Sequence, residues 1–273
     1  MACDPADPEY GAGAGTSDRC HQKQVSDLLA GSDKVLALGD LQYEDATLGK
    51  FNEVYNPSWG RFKAITAPAI GNHEYGDPAG GAAGYFDYFN GVGNSSGPAG
   101  ERSKAYYSFD LGAWHLVALN SNCGQVSCAA GDAQEQWLRG DLAAHPSNCT
   151  LAFWHHPLFT SESGSATTSV GPLWKALREN AVDVLLVGHA HNYERFARLD
   201  ETGAANPAAG LRQFVVGTGG KNLRAFDASH ASSEFRDASH FGVLRLSLHA
   251  GSYDWRFVTE TGATTDSGSE ACI

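Results

Sequence analysis

The sequence predicts an α/β fold, and three observations carry that prediction. Short apolar runs alternate with stretches of helical periodicity along most of the chain. Several of those runs stop at a polar residue, often just after a glycine. The last region alternates apolar and polar residues, the period-two mark of strands with one buried face.

The first strand is Val35–Leu38, ending at Gly39-Asp40. A second apolar run, Ala64–Ile70, ends at Gly71-Asn72. His115–Asn120 is a third, and Leu151–Trp154 a fourth that ends at His155. Val182–Val187 leads into Gly188-His189, and Leu211–Val216 into Gly217-Thr218-Gly219-Gly220. Phe241–Thr259 reads as a hairpin turning at Ala250-Gly251. Helices fill the gaps. Ser17–Ala30 has a capping residue, apolar positions at Val25, Leu28 and Leu29, and Gly31 as a stop. Thr47–Tyr55, Ala133–Ala144 and Pro172–Asn180 each place apolar residues on one helical face. The segments 76–84, 91–100 and 161–169 are rich in Gly and Ser and read as surface loops. There is no internal repeat and no linker long enough to separate two domains, so 1–273 is expected to be one domain.

Composition narrows the class. At 42% hydrophobic and 18% charged, the 273 residues are too apolar for a disordered chain. No apolar run approaches the roughly 20 residues of a membrane span. A formal net charge of −12 argues against nucleic acid or an anionic membrane as partner, since both are polyanions.

The cysteines are Cys3, Cys20, Cys123, Cys128, Cys149 and Cys272, with no C-x-x-C pair. Three disulfides and six buried thiols are both open. If disulfides form, local closure and anchoring of both termini select Cys3–Cys20, Cys123–Cys128 and Cys149–Cys272. That would place the protein in an oxidising compartment, secreted or periplasmic; free thiols would make it cytoplasmic. The start, MACDPADPEY, is not a signal peptide.

Four strand ends share a character: Gly39-Asp40-Leu41-Gln42-Tyr43, Gly71-Asn72-His73-Glu74, His155-His156-Pro157 and Gly188-His189-Ala190-His191. Ligands in open α/β sheets bind beyond the carboxyl ends of strands. An Asp and an Asn oxygen beside several imidazoles suit first-row metals. Any one of these would read as a turn, a cap or a structural His. Four of them, each following an apolar run, point to a metal centre.

GDLQY, GNHE, AFWHHP and GHAHNYER resemble the metallophosphoesterase, or calcineurin-like, superfamily, and specifically its purple-acid-phosphatase-like branch. The resemblance runs from Asp40 through Arg195, and the Gly217–Gly220 turn is similar to the family's glycine-rich segment. It implies a sandwich of two mixed sheets flanked by helices. It also implies two metal ions, iron together with zinc, manganese or a second iron. By that resemblance Asp40 bridges both. Tyr43 and His191 serve the first metal, and Asn72, His155 and His189 the second. His73 is the implied general acid, with Glu74 orienting it or lying solvated at the surface. His156 is either supporting or structural, and Asn192 is a candidate phosphate contact. The implied reaction is hydrolysis of a small phosphate ester, with metal-bound hydroxide attacking phosphorus in line and His73 protonating the leaving oxygen. A phosphomonoesterase is the first expectation. A phosphodiesterase on small substrates and a non-catalytic binding module on the same fold are the alternatives.

The pattern departs from the family at its first motif, an Asp at the end of a leading strand. Ala2-Cys3-Asp4-Pro5 resembles the stretch that follows this motif in bacterial relatives. Three readings stay open: a missing or altered leading strand, Asp4 or Asp7 as a substitute ligand, or a centre whose first metal site is weakened or empty. The loop Phe159–Ser165 also lacks the histidines that some plant members place there. Gly93-Asn94-Ser95-Ser96-Gly97 matches a nucleophile elbow only in letters, because no strand precedes it and no helix follows.

Overall fold

The computed structural model describes residues 1–273. Twelve strands and five α-helices follow one another as α1 (Gln22–Asp27), β1 (Val35–Leu38), α2 (Leu48–Lys50), β2 (Thr66–Ala69), α3 (Ala83–Asn90), β3 (Tyr107–Leu111), β4 (Trp114–Ala118), α4 (Ala133–Ala144), β5 (Cys149–Phe153), α5 (Gly171–Glu179), β6 (Val184–Val187), β7 (Tyr193–Leu199), β8 (Leu211–Val216), β9 (Ser233–Asp237), β10 (Gly242–His249), β11 (Ser252–Thr259) and β12 (Thr264–Ala271). This is the mixed α/β class that the apolar runs predict.

The larger sheet has seven strands in the order β3-β4-β5-β6-β8-β7-β9. Its centre is parallel, with β4, β5, β6 and β8 side by side, and β3, β7 and β9 add antiparallel pairs. One face carries α4 and α5, which bury Leu138, Leu173, Trp174 and Leu177 against Val117, Ala152, Leu185 and Val215. The other face packs Leu116, Leu151, Phe153, Leu186 and Phe214 against Ala67 and Ala69 of β2 and Tyr253, Trp255 and Phe257 of β11. A third apolar cluster sits under α1 and α3 and joins Val25, Phe51, Tyr55, Tyr85 and Phe86.

The second layer is not one continuous sheet. It is a parallel pair, β1-β2, and a separate antiparallel meander, β10-β11-β12. Between them lies a cavity of about 690 Å³, lined by consecutive residues of β1 and of β10. The edge of β1 opposite β2 therefore faces open space. At its far end Ala2 forms a parallel bridge with Gln42, and the Met1 ammonium donates to the Asp40 carbonyl.

Where the elements differ from the sequence reading, the causes are tertiary. Helix α3 lies against the glycine-rich segment read as loop, where Tyr85, Phe86 and Phe89 are buried. The region 47–55 is a short helix capped by Thr47, followed by a wider turn over Phe51–Tyr55. Strand β12 has no apolar alternation; it is held by its ladder to β11 and by Tyr253 and Arg212, which donate to Glu270. Three disulfides close the chain as Cys3–Cys20, Cys123–Cys128 and Cys149–Cys272, and no cysteine is free. No helix is long and apolar enough to cross a membrane.

Candidate metal centre

Strands β1, β2, β5 and β6 end at one rim, and each delivers its polar residue there. The turn out of β1 is tight. Gly39 has φ +84°, and a Cβ there would lie 2.6 Å from His155 Nδ1. Gly71 is as confined, since its Cβ would lie 2.3 Å from the Asp40 N and Oδ1. Asp40 and His189 themselves adopt left-handed φ angles of 49° and 64°. Non-glycine residues in that region carry strain, which a rigid surrounding must hold.

Asp40 is the hub. Its Oδ2 lies 3.2 Å from His155 Nε2 and accepts from the Tyr43 hydroxyl at 3.1 Å. On one side, His155 Nε2 is 3.1 Å from Asn72 Oδ1 and 3.1 Å from His189 Nδ1. On the other, the Tyr43 hydroxyl is 3.1 Å from His191 Nε2. The six expected donors thus meet in two lobes that share Asp40. One holds Asn72, His155 and His189, the other Tyr43 and His191.

The proton inventory tests whether a cation fits. His155 donates from Nδ1 to the Leu38 carbonyl at 2.8 Å, so its neutral ring presents a lone pair at Nε2. That lone pair faces Asp40 Oδ2, Asn72 Oδ1 and His189 Nδ1, and oxygen and nitrogen lone pairs so close repel one another. A proton can satisfy one pair of these atoms, whereas a metal ion can satisfy all four. Burial opposes a charged His155, but the Asp40 carboxylate more than offsets it and raises the ring's pKa. Burial likewise works against the Asp40 carboxylate, and the His155 and His73 contacts hold it well below its usual range. His189 is pulled down to about 4 by burial and by the His155 charge. His191 is pulled down to about 3 by burial and by the Arg224 charge. Both rings are therefore neutral near pH 7, the form that binds metal. The residues fit divalent or trivalent ions of the first row.

The supporting contacts fix which nitrogen points inward. His191 Nδ1 donates to Asn222 Oδ1 at 3.0 Å, leaving Nε2 toward Tyr43. Ser121 Oγ accepts the N–H groups of His155 and His156 at 3.2 and 2.9 Å. The His156 ring lies 4.7 Å from those of both His155 and His189. His73 sits above the hub. Its N–H donates to Asp40 Oδ1 at 3.0 Å, and its Nδ1 donates to the Glu44 carbonyl at 2.6 Å, leaving Nε2 free.

Three expectations need correction. Glu74 neither touches the His73 ring nor lies at the surface. It is fully buried, and its carboxylate accepts the N–H groups of Gly71, Asp40 and Leu41 at 2.7, 2.9 and 2.7 Å. Asp4 and Asp7 do not join the hub: their carboxylates pair with Lys50 and Lys221 and accept nearby backbone N–H groups, with no contact to Asp40 or its partners. The segment 161–169 is not simply a surface loop, because Glu162 is buried in it. Glu162 Oε2 accepts from the His191 N–H at 3.1 Å and from Asn192 Nδ2 at 2.8 Å.

Comparison with known proteins gives the family. A family model described as calcineurin-like phosphoesterase matches residues 20–193. The chain belongs to the calcineurin-like phosphoesterase family. Within it, purple acid phosphatase 23 of Arabidopsis thaliana is 29% identical over 249 residues, 78% of this chain and 53% of the relative. Probable inactive purple acid phosphatase 9 of Arabidopsis thaliana is 26% identical over 227 residues, 71% of this chain and 32% of the relative. The purple acid phosphatase PPD1 from yellow lupin (Lupinus luteus) seeds superposes with a TM-score of 0.71 at 24% identity, over 91% of this chain and 48% of that one. These matches place the phosphoesterase in the purple-acid-phosphatase-like branch. The chain spans about half or less of the length of these relatives.

Asn222, Ser121 and Glu162 carry no sequence signal of their own as supports. For Asn222 the one hint was its place just beyond the glycine-rich turn after Leu211–Val216.

Proposed function

We propose that this phosphoesterase hydrolyses small phosphate esters at the Asp40-centred rim, with phosphomonoesters as substrates. The observation that carries the reading is the meeting of Asp40 with two lobes of imidazole, amide and phenol donors beneath His73. Two metal ions, iron with zinc, manganese or a second iron, would supply Lewis acidity and lower the pKa of a bound water to about 7.

The chain's own residues then have distinct tasks. Asp40 holds the two lobes in one frame. Asn72, His155 and His189 form the fuller lobe, while Tyr43 and His191 form the leaner one. Burial and the Asp40 charge keep the Tyr43 phenol protonated well above its usual range, so its anionic form depends on a cation beside it. His73, half-buried with its Nδ1–H fixed on the Glu44 carbonyl, presents Nε2 to the leaving oxygen, and the ring bearing a second proton on Nε2 gives that proton up there and returns to its neutral form. No side-chain nucleophile is required. The three disulfides support an oxidising compartment, secreted or periplasmic.

The test is hydrolysis of p-nitrophenyl phosphate and of bis(p-nitrophenyl) phosphate from acid to alkaline pH, with added iron, zinc or manganese. Turnover of the monoester with chelator-sensitive kinetics supports the reading. Preference for the diester would move it to a phosphodiesterase. Bound metal without any turnover would favour a binding module.

A further inference from the structure

We propose that Arg224 binds the anionic oxygens of the phosphoryl substrate at the rim, positioned by Glu162. The inference rests on the phosphoester reading above and names a substrate contact within it.

Arg224 lies just past the glycine-rich turn after β8. Its backbone N–H donates to the His191 carbonyl at 2.9 Å, which ties it to the loop bearing two metal-ligand candidates. Its Nη1 donates to Glu162 Oε1 at 3.1 Å. Glu162 is in turn fixed, since Oε1 also accepts from Ser165 Oγ at 2.8 Å and Oε2 from His191 and Asn192. The base of the guanidinium is thus anchored to the same frame as His191. Nevertheless the side chain is 48% exposed, against 8% for Glu162. Nε and Nη2 make no hydrogen bond to the protein, so the fork keeps donors for an incoming ligand.

The electrostatic setting gives that fork a purpose. The protein carries a net charge of −12, and the Glu44 carboxylate lies 3.6 Å from the His73 ring at the rim. A phosphate dianion held by the metal ions of the proposed centre still has oxygens turned outward, and a cation at the edge of the site offsets their charge where the protein's own net charge is negative. The other lysine or arginine on this turn is already committed. Lys221 is buried, and its Nζ bonds Asp7 at 3.1 Å and Glu44 at 2.7 Å. Arg224, by contrast, is joined to the His191 segment twice, by its own backbone N–H and through Glu162, and its remaining guanidinium donors are uncommitted. A planar guanidinium matches phosphate oxygens with two parallel donors, which a lysine cannot do.

The test is titration calorimetry of inorganic phosphate into manganese-loaded protein, with KM and kcat for p-nitrophenyl phosphate on the same samples. Metal content and Tm are measured alongside. Arg224→Met should retain metal and weaken phosphate binding by about 10–100-fold, the loss expected for a charge-assisted contact. Arg224→Lys should fall between it and wild type. Glu162→Gln, which keeps the guanidinium but loosens its anchor, should raise KM more than it lowers kcat. Wild-type phosphate affinity in a metal-loaded Arg224→Met protein would overturn the role of Arg224 and leave the phosphoester reading standing. A wild-type protein that binds metal but neither binds phosphate nor turns over ester would overturn both.

Discussion

Glu74 holds Asp40 by its backbone, accepting the Asp40 N–H on Oε2 at 2.9 Å. The same carboxylate collects the N–H groups of Gly71 and Leu41, so one buried side chain binds the turns after β1 and β2 together. Glu74→Gln places an amide donor against those N–H groups. It should cost about 3 kcal/mol or more, because three buried N–H groups then face an amide with a single acceptor oxygen. Thermal denaturation checks the stability, and metal analysis of the same sample should show weakened binding without any ligand having been altered.

His73→Ala removes the Nε2 proton donor but leaves every donor of the two lobes in place. Hydrolysis of an ester with a poor leaving group should fall about 10²–10⁴-fold with metal content unchanged. An ester with a good leaving group should suffer less, since it needs less protonation. Steady-state rates on such a pair of substrates check the assignment.

Much of the fold and the centre was legible in the sequence, for reasons that can be named. β1 and β8 are buried apolar runs bounded by glycine, and α4 has a full amphipathic period, so their limits were readable. The donors Asp40, Asn72, His155, His189 and His191 each stand at or next to the end of such a run. The supports were not readable. Asn222 orients His191 across 31 positions and Glu162 braces it across 29, and neither relation has a local pattern. Glu74 was misjudged because a carboxylate beside a His in a turn is normally solvated, whereas here two turns close over it. β12 was missed because its strand character comes from pairing and ion pairs rather than from apolar alternation.

Those ion pairs make acid stability testable. Burial works against the Glu270 carboxylate, but hydrogen bonds from Arg212 and the Tyr253 hydroxyl bring its pKa down to about 2. A carboxyl depressed in the fold stabilises above its unfolded pKa, and that stability is lost as pH falls from about 4.5 toward 2. Glu270→Gln should lower stability near neutral pH by on the order of 2–3 kcal/mol and flatten the decline over that acid window. Chemical denaturation at a series of pH values compares the two proteins.

Cys149–Cys272 spans 123 positions and ties β5 to the chain's last residues. Replacing both cysteines by serine should cost about 2–5 kcal/mol, mainly by freeing the unfolded chain. Calorimetry should show a clear drop in Tm, larger than for Cys123–Cys128, which spans 5 positions.

In the proposed centre both lobes share Asp40. The most direct measurement is metal per chain, by mass spectrometry, for wild type and Asp40→Ala purified without chelator. Wild type should hold at least one tight equivalent and a second more weakly, and a folded Asp40→Ala protein almost none. Wild-type metal content in Asp40→Ala, or a folded wild-type chain that takes up no metal, would contradict it.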